Sequence, residues 1–381
     1  MPSRKQRVLG ALLGVHAGDS FGAAHEFRSW QEIRQRFPPD GAIPREITGG
    51  GPFNWAPGHA TDDTDMTRAI LLGYRDAPGA DSLDLARTAS KYMLQWSRGP
   101  WADRPANSRP FDMGGATARG LALLEKTASV VTDGGGVLDP RRAGAGPGSC
   151  GNGSLMRCIP TALFAASEGR ELVAETTLLS AVTHNDWRCI LACVAYNVMV
   201  RKMVMDDAPP ADAVAAGRDA ILRPETLDTA VAALTVKGQP PPLDRSTLAV
   251  CQAEVVASVD RACLPSFRVD VLANQGPFVL IEDSSGEQTE ALPLGARGYV
   301  LDSLMLAVAA VLDTTRTWEE LMVDVVRVGG DTDTNGAIAG GLVGARDGVE
   351  TIPASWRKKL QFGSEFCEIV DQLLGKDKDR E

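Results

Sequence analysis

Thr61-Asp62-Asp63-Thr64-Asp65 and Asp331-Thr332-Asp333-Thr334 are the two stretches whose reading decides this chain. They lie near opposite ends of a 381-residue sequence and share one chemistry, carboxylates set beside threonine hydroxyls. Each opens into a run of helix formers. The first leads to Met66, Ile70, Leu71 and Tyr74, and the second to Ala337, Ile338, Gly341, Leu342 and Ala345. Both spacings suit one apolar helical face. A Thr or Asp directly before such a run is an N-cap signal. Each cluster is therefore predicted at a helix N-terminus, with its carboxylates pointing out of the end. If the two ends face each other, five or six oxygens converge on one spot. Hard divalent cations take such a set, which offers carboxylate and hydroxyl oxygens without sulfur or imidazole. Without a cation, that many carboxylates would repel and some would stay protonated. Two unrelated caps on solvated helices are the plain alternative. Two matching clusters, each running into a small-residue helix, favour the cation.

Apolar content of 44% and charged content of 23% are those of a soluble globular protein. Aromatics make up only 6%, while glycines number 39. Small residues let helices approach closely, so a tightly packed and mostly helical body is predicted. The net charge of −10, with no basic stripe, argues against a protein that grips nucleic-acid phosphates. A small anion in a local pocket stays open. The seven cysteines are odd in number and irregularly spaced, which describes buried free thiols rather than a disulfide framework. Met1 to Gln6 carry basic residues, but Gly10, Gly14, His16, Gly18 and Asp19 interrupt any apolar signal region after them. No run approaches a membrane span. A reducing cytoplasm is the default expectation.

Helices are predicted over 7–17, 83–96, 116–126, 155–166, 171–183, 187–203, 211–222, 298–312 and 318–328. The Gly/Pro-rich stretch 134–148 reads as a loop, and Pro240-Pro241-Pro242 as a break. Two short strands are predicted at 267–272 and 278–282, with a turn at 283–286. The charged tail 376–381 is expected to fray. The two acidic clusters need each other, which favours one domain over 1–381. The predicted fold class is an all-α orthogonal helical bundle with a small β insertion at 266–290.

Three Asp-rich patterns compete for the clusters. A terpenoid-synthase pattern fails because Met66 stands where its third carboxylate should fall. A haloacid-dehalogenase phosphatase loop fits Asp331-Thr332-Asp333-Thr334 weakly, since it should lie early in the chain and Asn335 closes it. The third pattern fits throughout. Its segments are Gly14-Val15-His16-Ala17-Gly18-Asp19-Ser20-Phe21-Gly22, Pro57-Gly58-His59-Ala60-Thr61-Asp62-Asp63-Thr64, Phe111-Asp112-Met113-Gly114-Gly115-Ala116-Thr117, Gly151-Asn152-Gly153-Ser154-Leu155-Met156-Arg157, Thr183-His184 and Gly329-Gly330-Asp331-Thr332-Asp333-Thr334. In this order, across almost the whole chain, the sequence resembles the ADP-ribosylglycohydrolase family. That group includes the dinitrogenase reductase-activating glycohydrolases and the ADP-ribosyl-arginine and ADP-ribosyl-serine hydrolases.

The resemblance implies an all-α fold around two Mg²⁺ or Mn²⁺ ions, with Thr61, Asp62, Asp63, Asp331, Asp333 and Thr334 as ligands. It implies cleavage of the C1″ glycosidic bond of an ADP-ribosylated protein or small molecule, arginine-linked conjugates first and serine-, nucleobase- or acetyl-linked ones as alternatives, with Asp62 and Asp333 in the catalytic centre. Glu26 matches a glutamate that acts beside the metals in some members; on its residues alone it reads equally as a surface carboxylate. Asp19 reads as a cap or supporting group. Gly114 and Gly115 precede a helix and would let backbone N–H groups approach a pyrophosphate. By resemblance Ser149, Asn152 and Gly153 line the ADP-ribose site, His184 sits against the ligand, and Tyr299 stacks near the base. Read without the resemblance, Asn152-Gly153 is a turn, His184 a structural histidine and Tyr299 a core tyrosine. A relative that keeps the fold without catalysis is the alternative from another class. The full set of six ligand residues disfavours it.

Overall fold

Glycines recur every fourth residue in two distant helices, at Gly10, Gly14, Gly18 and Gly22 and at Gly336, Gly340 and Gly344. In the computed structural model these stripes face each other antiparallel. A Cβ on Gly14 would stand 2.2 Å from the carbonyl oxygen of Gly340, one on Gly18 2.0 Å from that of Gly336, and one on Gly22 2.2 Å from that of Thr332. Two backbones therefore touch along four turns, at a separation that no side chain would permit. This contact sets the start of the late helix beside the end of the first one.

The structure describes residues 1–38, 40–102, 104–128, 137–167, 169–239, 243–276, 280–282, 288–290 and 298–378. In chain order the helices are α1 (Arg4–Gly22), α2 (Trp30–Arg36), α3 (Asp62–Asp76), α4 (Ser82–Arg98), α5 (Gly115–Ala128), α6 (Ile159–Phe164), α7 (Arg170–Ala181), α8 (Trp187–Met205), α9 (Pro210–Ala220), α10 (Pro224–Leu234), α11 (Leu248–Ala262), α12 (Val269–Gln275), α13 (Val300–Leu312), α14 (Trp318–Arg327), α15 (Thr332–Asp347), α16 (Ala354–Arg357) and α17 (Gly363–Lys378). α1 and α15 form the central pair, with α3, α8, α13 and α14 packed around them. α8 is apolar on nearly all sides and buried along most of its 19 residues, as a helix in the middle of a body must be. The mostly helical reading holds.

Several local expectations do not. The strand predicted at 267–272 is the start of α12, whose buried Val269, Leu272 and Ala273 stand three and four apart, a helical spacing. A β insertion over 266–290 is not borne out. What is present is a pairing of Leu280–Glu282 with Gln288–Glu290, antiparallel and three residues long on each side. A pair that short is marginal without other support. The predicted helix 155–166 begins only at Ile159, because Pro160 fits the first turn and not the interior. Helices α2, α10, α11, α12, α16 and α17 were not predicted. The predicted turn 283–286, the first residues of the strand at 278–282, Gly134-Gly135-Gly136, Pro240-Pro241-Pro242 and 379–381 lie outside the described residues. All seven cysteines are free; Cys158, Cys189, Cys193 and Cys251 are buried, but Cys263 is exposed. Among the described residues no helix is long and apolar enough to cross a membrane.

Candidate functional site

The two acidic clusters meet. Asp63 and Thr334, 271 positions apart, are joined by a hydrogen bond of 3.2 Å from the threonine hydroxyl to Asp63 Oδ2. Thr61 Oγ1 donates to the same oxygen at 3.1 Å. Thr61 is the N-cap of α3 and its hydroxyl accepts from the Asp63 N–H. Asp19, on α1, reaches the same helix start, where its Oδ2 accepts from the N–H groups of Thr61 and Thr64 at 3.1 and 3.3 Å. It is the supporting cap that the sequence suggested. Asp331 occupies the cap position of α15, yet its carboxylate caps nothing in that helix. Its Oδ2 accepts instead from Asn152 Nδ2 at 2.9 Å.

Two further carboxylates join them. Oxygens of Glu26, Asp112 and Asp333 all lie within 4.8 Å of one another, an arrangement that could hold a metal ion. Glu26 follows α1, and the chain there is sewn to the residues before Asp331. Phe27 N–H donates to the Gly330 carbonyl at 2.8 Å, and Gly330 N–H to that of Arg28 at 2.7 Å. Gly329 and Gly330 have φ of +85° and +82°. A Cβ on Gly329 would fall 2.7 Å from the Trp30 nitrogen, so both conformation and space require glycine. Asp112 comes from the loop between α4 and α5. That loop is anchored by Asp65, which accepts from Trp101 Nε1 at 2.7 Å and from Trp96 Nε1 at 2.9 Å. The last carboxylate of the first cluster is thus an anchor, turned away from the other two. Neither Asp65's nor Asp112's part was foreseen. The signal for Asp112 was available, since it stands directly before Met113-Gly114-Gly115 at a helix start.

The cluster is buried. Asp63 is 0% and Asp333 1% exposed, and Asp62 and Glu26 are also buried. The charges acting most strongly on Glu26, Asp62, Asp63, Asp112 and Asp333 are all carboxylates. Burial first, and then Asp112, Asp331 and Asp19, push Glu26 up to about 9. Burial and then Asp331 push Asp112 up to about 6. Asp62, Asp63 and Asp333 are held well above the usual carboxylate range by burial first and then by neighbouring carboxylates, of which Asp112, Asp19 and Glu26 respectively act most strongly. Glu26 Oε2 and Asp63 Oδ1 are buried without a hydrogen-bond partner. Unpaired buried anions cost free energy unless protons or cations neutralise them. Orphaned oxygens on an oxygen-only donor set fit hard divalent cations.

The remaining predicted residues form a flank of this cluster. Gly115 is the first residue of α5, and both Gly114 and Gly115 are exposed, with no atom closer than 3.5 Å to a Cβ placed on either. Ser149 is half-buried and receives Arg119 Nη2 at 3.4 Å. Asn152 is buried and engaged, since its Nδ2 also donates to Ser303 Oγ at 3.0 Å, which in turn donates to Asn335 Oδ1 at 2.8 Å. Tyr299 is 37% exposed rather than a core residue, and it bridges to Gly151 in strand fashion. His184 is buried beneath the loop. Its Nδ1 pairs with Thr183 Oγ1 at 2.8 Å, and a Cβ on Gly153 would meet its Cε1 at 2.7 Å. The fully buried Arg157 ties Gly153 O and Thr183 Oγ1 together at 2.9 and 2.6 Å. Burial lowers His184 to about 3, so its ring is neutral.

Comparison with known proteins gives a consistent picture. The chain is 28% identical to the ADP-ribosyl-[dinitrogen reductase] glycohydrolase of Rhodospirillum rubrum, over 98% of this chain and 97% of that protein. It is 26% identical to the ADP-ribosylarginine hydrolase Tri1 of Pseudomonas putida, over 97% of this chain and 78% of that one. A solved structure described as an ADP-ribosylglycohydrolase-related protein complex matches with a TM-score of 0.60 at 24% identity, covering 98% of both chains, which shows a shared fold. The family model for ADP-ribosylglycohydrolase matches residues 1–381. The chain belongs to the ADP-ribosylglycohydrolase family of enzymes.

Proposed function

We propose that this enzyme hydrolyses the C1″ glycosidic bond of ADP-ribose conjugates, arginine-linked ones on protein first, and releases ADP-ribose. One observation carries the reading: carboxylates from both ends of the chain converge, buried, with oxygens left unpartnered. The similarity to an ADP-ribosyl-[dinitrogen reductase] glycohydrolase and to an ADP-ribosylarginine hydrolase supports the arginine linkage. Because the site draws on both ends, residues 1–381 act as one domain.

Thr61, Asp62, Asp63, Asp331, Asp333 and Thr334 would hold two Mg²⁺ or Mn²⁺ ions. Bound there, such ions supply polarisation of sugar oxygens and a water of lowered pKa. The chain's own groups do the rest. The surrounding carboxylates favour the positive charge of an oxocarbenium-like transition state. Glu26 holds a proton at its carboxyl and stands beside Asp333, placed to exchange that proton with the departing acceptor or with the attacking water. The exposed start of α5 at Gly114-Gly115 offers N–H groups to the pyrophosphate. Ser149 and Gly153 border the distal ribose and phosphates, and Tyr299 the base. Asn152 acts by holding Asp331, and His184 by holding the 151–153 loop, rather than by touching substrate.

The test is a panel of arginine-, serine- and nucleobase-linked ADP-ribose conjugates assayed with Mg²⁺, with Mn²⁺ and with chelator. Release of intact ADP-ribose, highest from the arginine conjugate and lost with chelator, is the expected result. Phosphate release instead, or turnover untouched by chelator, would refute the reading.

A further inference from the structure

Four aromatic rings form an arc beside the carboxylates, and the hydrolysis described above uses none of them. Phe27 meets Phe53 edge-on with ring centres 6.3 Å apart, Phe53 tilts against Trp55 at 5.6 Å, and Trp55 meets Phe111 edge-on at 6.3 Å. The ends of the arc are joined in sequence to two of the converging carboxylates: Phe27 follows Glu26, and Phe111 precedes Asp112. These end rings are 64% and 77% exposed. Phe27 also holds φ at +62°, in the left-handed region that a residue with a side chain rarely adopts. Backbone strain kept at an exposed ring is not explained by core packing, and strain of this kind gathers at ligand sites.

Charge decides what the arc would take. Ring faces carry partial negative charge, so a planar cation stacks on them favourably, whereas a phosphate gains nothing from them. The charge of Arg28, next in sequence, acts on His25 and Glu32. The anionic half of an ADP-ribose conjugate belongs at the other flank, where α5 begins and where the 149–153 loop meets Tyr299. We propose that the Phe27–Phe53–Trp55–Phe111 arc receives the guanidinium-bearing acceptor, the arginine side of the conjugate, and makes the enzyme prefer cationic acceptors over neutral ones. The proposal rests on the hydrolysis reading above and adds a specificity site to it.

The test uses the full chain with Mg²⁺ and two variants, Phe27→Gly, which also suits the left-handed backbone, and Phe111→Ala at an exposed ring. Hydrolysis of ADP-ribosyl-arginine and ADP-ribosyl-serine is compared, together with binding of free ADP-ribose by calorimetry and of agmatine, a bare guanidinium probe, by saturation-transfer NMR. Each variant is expected to raise KM for the arginine conjugate about tenfold at nearly constant kcat, the size of a partly desolvated cation–π contact. The arginine-to-serine ratio of kcat/KM then falls by the same factor, ADP-ribose affinity holds, and the agmatine signal weakens. Proportional loss on both conjugates with weaker ADP-ribose binding would assign the rings to the nucleotide and overturn the proposal. An unchanged ratio would overturn it too. Should the wild type hydrolyse neither conjugate, the hydrolysis reading fails; the agmatine arm still decides the arc, because wild-type binding lost in Phe111→Ala supports it and absence of wild-type binding ends it.

Discussion

The helix starts of α3 and α15 carry matching residues and are held in different ways. At α3, Thr61 caps its own helix and Asp19 adds two further N–H contacts from α1, so the start is fixed by local capping and one neighbouring helix. At α15, Asp331 sits at the cap position but turns its carboxylate to Asn152, and the start is fixed by the glycine contact with α1 and by a distant loop. A carboxylate satisfied by the N–H groups of a helix start, as Asp19 is, is a structural cap. One that forgoes them remains available to a ligand. The same sequence signal thus stands for two physical situations, and the difference lies in contacts made far along the chain.

The largest break in this comparison comes from the glycine contact. Gly18→Val puts a side chain where 2.0 Å separates a Cβ from the Gly336 carbonyl, so the two backbones must part. Overpacking of backbone against backbone costs on the order of 3 kcal/mol or more. The variant is expected to lose its cooperative denaturant transition, or to show a much lower midpoint. Gly146→Ala, with nothing within 4 Å of its Cβ, serves as the neutral control. A wild-type midpoint for Gly18→Val would mean that α15 is not delivered to the site by this contact.

Next come the carboxylates. Asp62→Ala and Asp333→Ala, one from each helix start, should each abolish turnover of an ADP-ribosylated substrate while the circular dichroism spectrum stays helical. Both variants should also be more stable than the parent in chelator at pH 8, since each removes one member of a set of mutually repelling buried anions. Wild-type turnover in either variant would remove that helix start from the reaction.

A smaller effect is a pH dependence that depends on added cation. In the metal-free protein, Asp112 and Glu26 have folded pKa values raised to about 6 and about 9. The folded state therefore binds more protons than the unfolded one, and stability falls with rising pH. Stability from these groups is complete below the unfolded carboxylate range and is lost as pH rises through about 6 for Asp112 and about 9 for Glu26. Cations compete with those protons, so the rise in melting temperature on adding Mn²⁺ should be small at pH 5 and grow towards pH 8. A shift that is flat or falls with pH would mean that the ion binds somewhere other than these carboxylates.

How much of this was legible in the sequence follows from range. The helix starts at Asp62 and Thr332 could be read because caps and apolar periodicity are local signals, and Thr61 behaves as its pattern says. Their meeting could only be argued, since it depends on the glycine stripes, whose period of four was present in the sequence but went unread as a packing surface. Asp112 was visible as a letter in a matching segment, but its place beside Glu26 depends on the Trp96 and Trp101 anchors at Asp65. Val269 to Leu272 looked like a strand because a short apolar run does not reveal its own period. Asn152 looked like a turn residue. Its role lies in contacts with Asp331 and Ser303, 179 and 151 positions away.

That last pair gives the finest test of the difference between the two helix starts. Thr61→Val removes a hydroxyl that both caps α3 and donates to Asp63, so stability should drop by about 1 kcal/mol along with activity. Asn152→Ala removes a donor to Asp331 and leaves every N–H of α15 as it was. Its cost should fall on cation affinity, about tenfold to a hundredfold, as for groups that orient ligands without touching the ion. Raising Mn²⁺ should then restore turnover in Asn152→Ala, while Thr61→Val stays less stable than the parent both without metal and at equal Mn²⁺. If excess Mn²⁺ fails to rescue Asn152→Ala, the asparagine does more than aim Asp331, and α15's start is as locally determined as α3's.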